Sequence, residues 1–176
     1  MALTQQRHRD RDPQQESILE ATMQRLDAYE QRKRVGKMVI AKEDAPTELN
    51  RQGLNTFYLL DEAYPEDAEP EDLPAVTEWS VFTHDIRTQS GCHRHQGGLA
   101  IYVIRGEGYT MCEGERIDWK EGDLVLLPVV PGGVEHQHFN TGDEPGTWIA
   151  FRFEPFHTAL GEHVVQVSSS PEYHDH

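Results

Sequence analysis

Downstream of Ala75 the sequence breaks into short apolar runs: "TEWSVFTHDI", "LAIYVI", "YTMCEG", "ERIDW", "DLVLLPV", "EHQHFN" and "TWIAFRF". Glycine, proline and acidic residues close each run, in "RGEG", "CEGE", "KEGD", "VVPGG" and "TGDEPG". Several short strands at this spacing, divided by turn residues, predict an all-β fold, an antiparallel β-sandwich or barrel. The barrel is expected over 75–167, with 168–176 as a tail.

Residues 1–74 read as a separate segment packing on the barrel or exchanging with a neighbour's. Residues 1–16 are polar and charged. From Ser17 to Val35 the pattern is helical: Ile18, Leu19, Thr22, Leu26 and Tyr29 fall near helical spacing, Ser17 is an N-cap and Gly36 a stop. Arg32, Lys33, Arg34 and Lys37 cluster at its end, where the helix dipole favours cations. Residues 37–41 and 55–61 read as short strands, with a loop over 42–53. Residues 61–74 hold seven carboxylates and three prolines, too polar to pack a core. They lack the ligand spacing of a calcium loop.

The formal net charge of −15 repels phosphate backbones and anionic membranes, so neither nucleic acid nor a membrane surface is an expected partner. No apolar run reaches the ~18 residues of a membrane span, and the first residues show no signal-peptide pattern. Two cysteines make no disulfide scaffold. A cytoplasmic location is expected.

Five of the ten histidines lie in the β-rich region: His84, His93, His95, His136 and His138. Two pairs are spaced H-x-H. Alternate residues of a strand share a face, so each pair projects together. Two such strands facing across a small barrel bring three or four imidazoles to one point, and neutral imidazole suits iron, zinc, copper and nickel. His84, beside Asp85, reads as a surface or supporting group. His157, His163, His174 and His176 read as surface groups, and Trp79 and Trp148 as core.

Residues 91–140 resemble the two motifs of the cupin superfamily, a jelly-roll, double-stranded β-helix fold. In the first, H-x-H, an intervening Glu and a closing Gly, this chain supplies His93, His95 and Gly106. In the second, Gly122, Pro128, His136 and Asn140 fit, with a turn three residues longer than the common form. The expected glutamate falls on Leu99, and 96–101 contains no acid. "HRHQGGLAIYVIRG" is thereby similar to gentisate-type ring-cleaving dioxygenases, which lack that glutamate.

The resemblance implies a metal held by His93, His95 and His136. Iron(II) is the implied ion, and zinc, nickel, manganese or copper would suit the same donors. It implies a small anionic substrate, such as a hydroxylated aromatic acid, with O2 as co-substrate. A non-oxidative metalloenzyme or a binding module is the alternative. Leu99, Ile101 and Val103 share the face of the ligands and form an expected apolar wall. Asn140 and Arg152 are candidate substrate contacts, Arg152 because guanidinium binds carboxylate bidentately. His138 is a candidate fourth ligand or a catalytic acid or base beside the metal, Gln96 is a candidate catalytic group, and Arg94 should point away. Small cupins pair through outer sheets and N-terminal arms, so a homodimer is expected.

Overall fold

Ser17 opens the first helix by accepting a hydrogen bond from the Glu20 amide, while the Glu20 carboxylate accepts from the Ser17 amide. This reciprocal cap satisfies two otherwise orphaned donors. The helix, α1, runs Ile18–Val35 and ends at Gly36, as the sequence predicts. It buries none of its residues. Arg32 anchors its C-terminal end by donating to the Pro74 carbonyl and pairing with Asp61. A computed structural model of the chain describes residues 17–161 and 163–174. The expectations for 1–16 and for His176 lie outside the described residues.

Among the described residues, eleven strands follow in two antiparallel sheets. The first contains β1 (Thr47–Asn50), β2 (Gly53–Leu59), β3 (Trp79–Ile86), β10 (Gly146–Phe153), β5 (Leu99–Arg105) and β8 (Leu124–Leu127), in that order. The second contains β11 (Val165–Ser168), β4 (Cys92–His95), β9 (Val134–Asn140), β6 (Glu107–Cys112) and β7 (Glu115–Lys120). The all-β expectation holds, but as two stacked sheets rather than one closed barrel.

Turn chemistry sets the hairpins. β6 and β7 are joined by Glu113 at φ 49° and Gly114 at φ 83°. Two successive positive-φ residues twist the hairpin with the natural hand of its strands.

Three local expectations need correction. Residues 37–41 are not a strand: Lys37 makes one bridge to Pro74, while Met38 and Val39 are exposed. With both faces in solvent, these apolar residues have no sheet to join. Residues 42–53 are not all loop, because β1 forms there and pairs with β2. A second helix, α2 (Glu154–Ala159), was not anticipated, since Pro155 in its first turn reads as a breaker but is tolerated there.

The core lies between the sheets. Ile101, Val103, Val134, Trp148 and Ala150 are nearly inaccessible. The alternation of β5 is as expected, with Leu99, Ile101 and Val103 inward. Its outer face is also apolar: Tyr102, Ile104, Leu124, Leu126, Phe151 and Phe153 stand exposed on the first sheet.

Candidate metal centre

His93 on β4 stands directly opposite His136 on β9, and His95 stands opposite Val134. The two H-x-H strands are therefore hydrogen-bonded neighbours in one sheet, and do not face one another across a barrel. Cross-strand pairs in an antiparallel ladder bring side chains within ~4.5–5.5 Å. This adjacency builds the cluster: ring centroids are 4.3 Å apart for His93–His136, 4.8 Å for His95–His136 and 4.9 Å for His93–His95.

One nitrogen from each of the three rings lies within 4.8 Å of the others. Nitrogens bound to one ion at ~2.1 Å sit roughly 3.0–3.4 Å apart, so loading requires a modest drawing-in of the rings. The donor set fits a borderline transition metal: three imidazoles and, among the described residues, no cysteine or carboxylate in the cluster. Backbone carbonyls orient two of the rings. His95 Nδ1 lies 2.5 Å from the Gln96 carbonyl, and His136 Nδ1 lies 3.2 Å from the Val134 carbonyl. A donated Nδ1–H leaves Nε2 unprotonated and available to a metal.

Burial also keeps the ligands neutral. It pushes His93 down to about 2, helped by His136, His95 and His84, and His136 down to about 3, helped by His95. Arg94, between the ligands, points outward as expected. It pairs with Glu113 and Glu135 and donates to the Gly133 carbonyl, tying β4 to the loop before β9.

His138 is buried beside the cluster, not in it. Its ring is 5.4 Å from that of His136. Its Nδ1 is 2.8 Å from Thr110 Oγ1, which also accepts the Trp119 indole N–H at 3.1 Å. Burial, followed by the neighbouring imidazoles, drives its pKa well below the ordinary value.

A cavity of about 240 Å³ opens in front of the cluster. The second sheet contributes His93, His95, His136 and His138 to its wall. The first sheet contributes Phe57, Phe82, Leu99 and Trp148, with Ser80, His84 and Arg152 among its polar members. Leu99 thus borders the space where the motif places an acid. Arg152 also faces in, and its guanidinium is paired with Glu154 at 2.8 Å.

Other candidates fall elsewhere. Ile101 is packed in the core, flanked in its sheet by Ala150 and Val125, and does not line the cavity. The Asn140 side chain spans a turn, donating to the carbonyls of Arg87, Gly142 and Glu144 and accepting from the Gly142 amide. Gln96 reaches the centre through its backbone carbonyl, and its side chain is not among the cavity-lining groups.

Two more histidines are buried, His157, read as a surface group, and His84, read as a surface or supporting group. His157 is fully enclosed in α2. His84 is 3 % exposed and lines the cavity, its ring 5.0 Å from that of Trp148. Trp79, read as core, is 42 % exposed.

Sequence reasoning did not select Phe57, Phe82 or the Asn50–Asn55 hairpin. Alternation held the signal: Asn55 and Phe57 share one face of β2, and Ser80, Phe82 and His84 share one face of β3.

Burial pushes His84 to about 4 against an ordinary 6.5, with Asp85 opposing. The folded state then resists a proton that the unfolded state accepts. Its stabilising effect is intact above pH 6.5 and is lost as pH falls from 6.5 towards 4, by about 3 kcal/mol for this group alone. Melting of metal-free protein across that range should show a decline to which His93, His136 and His138 also contribute, and His84→Phe should make it shallower by the His84 share. An equal decline in the variant would remove His84 as a source.

Residues 81–152 match the cupin domain family model. Over 58 residues the chain is 38% identical to a gentisate 1,2-dioxygenase of Ralstonia sp, covering 32% of this chain and 16% of that protein. Over 87 residues it is 32% identical to a 5-aminosalicylate 1,2-dioxygenase of Comamonas sp, covering 49% of this chain and 22% of that protein. The chain thus spans about a fifth or less of the length of these relatives. A cupin-like protein from Thermotoga maritima shares the fold, with TM-score 0.50 and 22% identity over 71% of this chain and 90% of that one.

Proposed function

We propose that the chain, whose residues 81–152 match the cupin domain family model, is an iron(II)-dependent dioxygenase acting on a small anionic substrate, best a hydroxylated aromatic acid. The observation that carries the reading is the three-histidine cluster with Leu99 bordering the space where the motif places an acid. The likeness to two ring-cleaving dioxygenases supports it.

Iron(II) held by His93, His95 and His136 would supply a Lewis-acidic centre with positions open to substrate and O2. The chain's own residues do the rest. Neutral imidazoles add no negative charge, so the site favours an anion. Leu99 keeps an acid from occupying an open position. Phe57, Phe82 and Trp148 give an aromatic substrate a flat apolar wall and exclude water. Arg152 binds the substrate carboxylate, in competition with Glu154. His138, neutral and held by Thr110, accepts or returns a proton beside the metal.

The test is oxygen uptake by iron-loaded protein with a panel of salicylate-type acids. Uptake dependent on both iron and acid is expected. Activity without oxygen would favour a non-oxidative metalloenzyme, and tightly held zinc with no uptake would sink ring cleavage.

No described helix is long and apolar enough to cross a membrane. The two cysteines are free, which accords with a reducing cytoplasm. The assembly proposed is a homodimer. The exposed apolar face of the first sheet and the uncovered α1 stripe of Leu19, Met23 and Leu26 are surfaces that water disfavours. Leu126→Asp, on the β8 edge of that face, should shift the sedimentation coefficient to that of a monomer. An unchanged coefficient would exclude this face. Any arm truncation must stop before Thr47, because β1 and β2 belong to the first sheet.

A further inference from the structure

The end of the cavity remote from Arg152 carries polar groups that the metal centre does not use. Asn55 on β2 stands directly opposite His84 on β3, and His84 opposite Trp148 on β10. Arg152 pairs with Ser80, four residues along β10 from Trp148, so the two ends are about 13 Å apart along the strand.

Asn55 is 3 % exposed, and its amide nitrogen is committed twice, donating to Asn50 Oδ1 at 3.2 Å and to the Gly53 carbonyl at 3.0 Å. That fixes the amide's orientation, because a flipped amide would set its oxygen against two acceptors. Oδ1 is therefore an acceptor that receives no donor among the described residues. His84 lies beside it, and its ring nitrogens have no hydrogen-bond partner among the described residues. Gly53 keeps the space open. It sits at φ +129°, and a Cβ there would lie 2.6 Å from His84 Nε2.

We propose that Asn55 and His84 form a hydrogen-bonding subsite that selects substrates carrying an O–H or N–H group beyond their metal-binding end. A substrate hydroxyl donates to Asn55 Oδ1 and accepts from the imidazole N–H. An amino group donates to both Asn55 Oδ1 and the unprotonated ring nitrogen. A methyl group in the same place buries both polar groups unpaired, which is the source of discrimination. The assignment rests on reading the cavity as a site for small aromatic acids, but its residues are distinct from the metal ligands, and Asn55 lies outside the matched segment.

The test is anaerobic calorimetry on the full iron-loaded chain with gentisate, 5-aminosalicylate and 5-methylsalicylate. The unmodified protein should prefer the two donor-bearing acids by about 10-fold or more. Asn55→Leu and His84→Phe should bring the ratio close to one, with the methyl probe gaining as the donor probes lose. His84→Gln, which restores a hydrogen-bonding group, should recover part of the preference. Iron content and melting temperature identify any variant that has lost its fold, and the unmodified protein's own ratio stands whichever variants fold. Binding of all three acids without preference in the unmodified protein would overturn the subsite, as would a preference surviving in both apolar variants. No binding of any acid would overturn the aromatic-acid reading, and the subsite's ligand with it.

Discussion

His136→Ala will strip the metal from the protein, lowering affinity by more than about 100-fold, because partners that merely orient a ligand are already worth ~10–100-fold. His136 is the shared neighbour of the cluster, with rings 4.3 and 4.8 Å away on two sides. Its loss leaves His93 and His95 without their third donor. His93→Ala should act alike. His138→Ala should keep the metal and lose activity, because the His138 ring is engaged with Thr110 and stands outside the cluster. Metal content of freshly purified variants, measured by mass spectrometry, decides this. Metal loss in His138→Ala equal to that in His136→Ala would make it a fourth ligand and sink the three-ligand reading.

Leu99→Glu will separate metal binding from oxygen chemistry. Leu99 is 4 % exposed and borders the cavity in front of the cluster. A carboxylate there is buried without a partner in metal-free protein, at a cost of several kcal/mol. The metal-free variant should melt well below the unmodified protein. Metal should recover most of that loss, because the new carboxylate gains a counter-charge. Oxygen uptake should fall at least about 100-fold, since the acid takes a position that substrate or O2 needs, and catalytic positioning is worth that much. Melting with and without metal, alongside oxygen uptake, checks both halves. A variant that takes up oxygen like the unmodified protein would show that the open position is not what Leu99 protects.

The strands were legible wherever local signals agreed. β5, β7, β9 and β10 carry alternation or continuous apolar runs between turn residues, and all form where those signals place them. The capped α1 was equally legible, since Ser17, Glu20 and Gly36 act over one turn. Met38 and Val39 misled because apolar side chains signal a strand only when a sheet is there to receive them. His157 misled for the opposite reason, and for His84 the sequence left surface and supporting places open. Each looks polar in sequence, and only packing shows that one lies on the cavity wall and the other is enclosed in α2.

The spacing of His93, His95 and His136, and the apolar residue at 99, are properties of the chain itself. Period-two geometry makes H-x-H project to one side in any extended strand, whatever surrounds it. Strand partnership is different. That β4 pairs with β9 depends on contacts between residues some forty positions apart, and no local pattern encodes them. The same holds for the first sheet, which brings Asn55, Phe57, Phe82 and His84 to face the histidines across the cavity. The sequence by itself determined which residues could hold a metal. The tertiary structure decided what that metal faces, because the facing wall is built from strands that meet only when the two sheets pack.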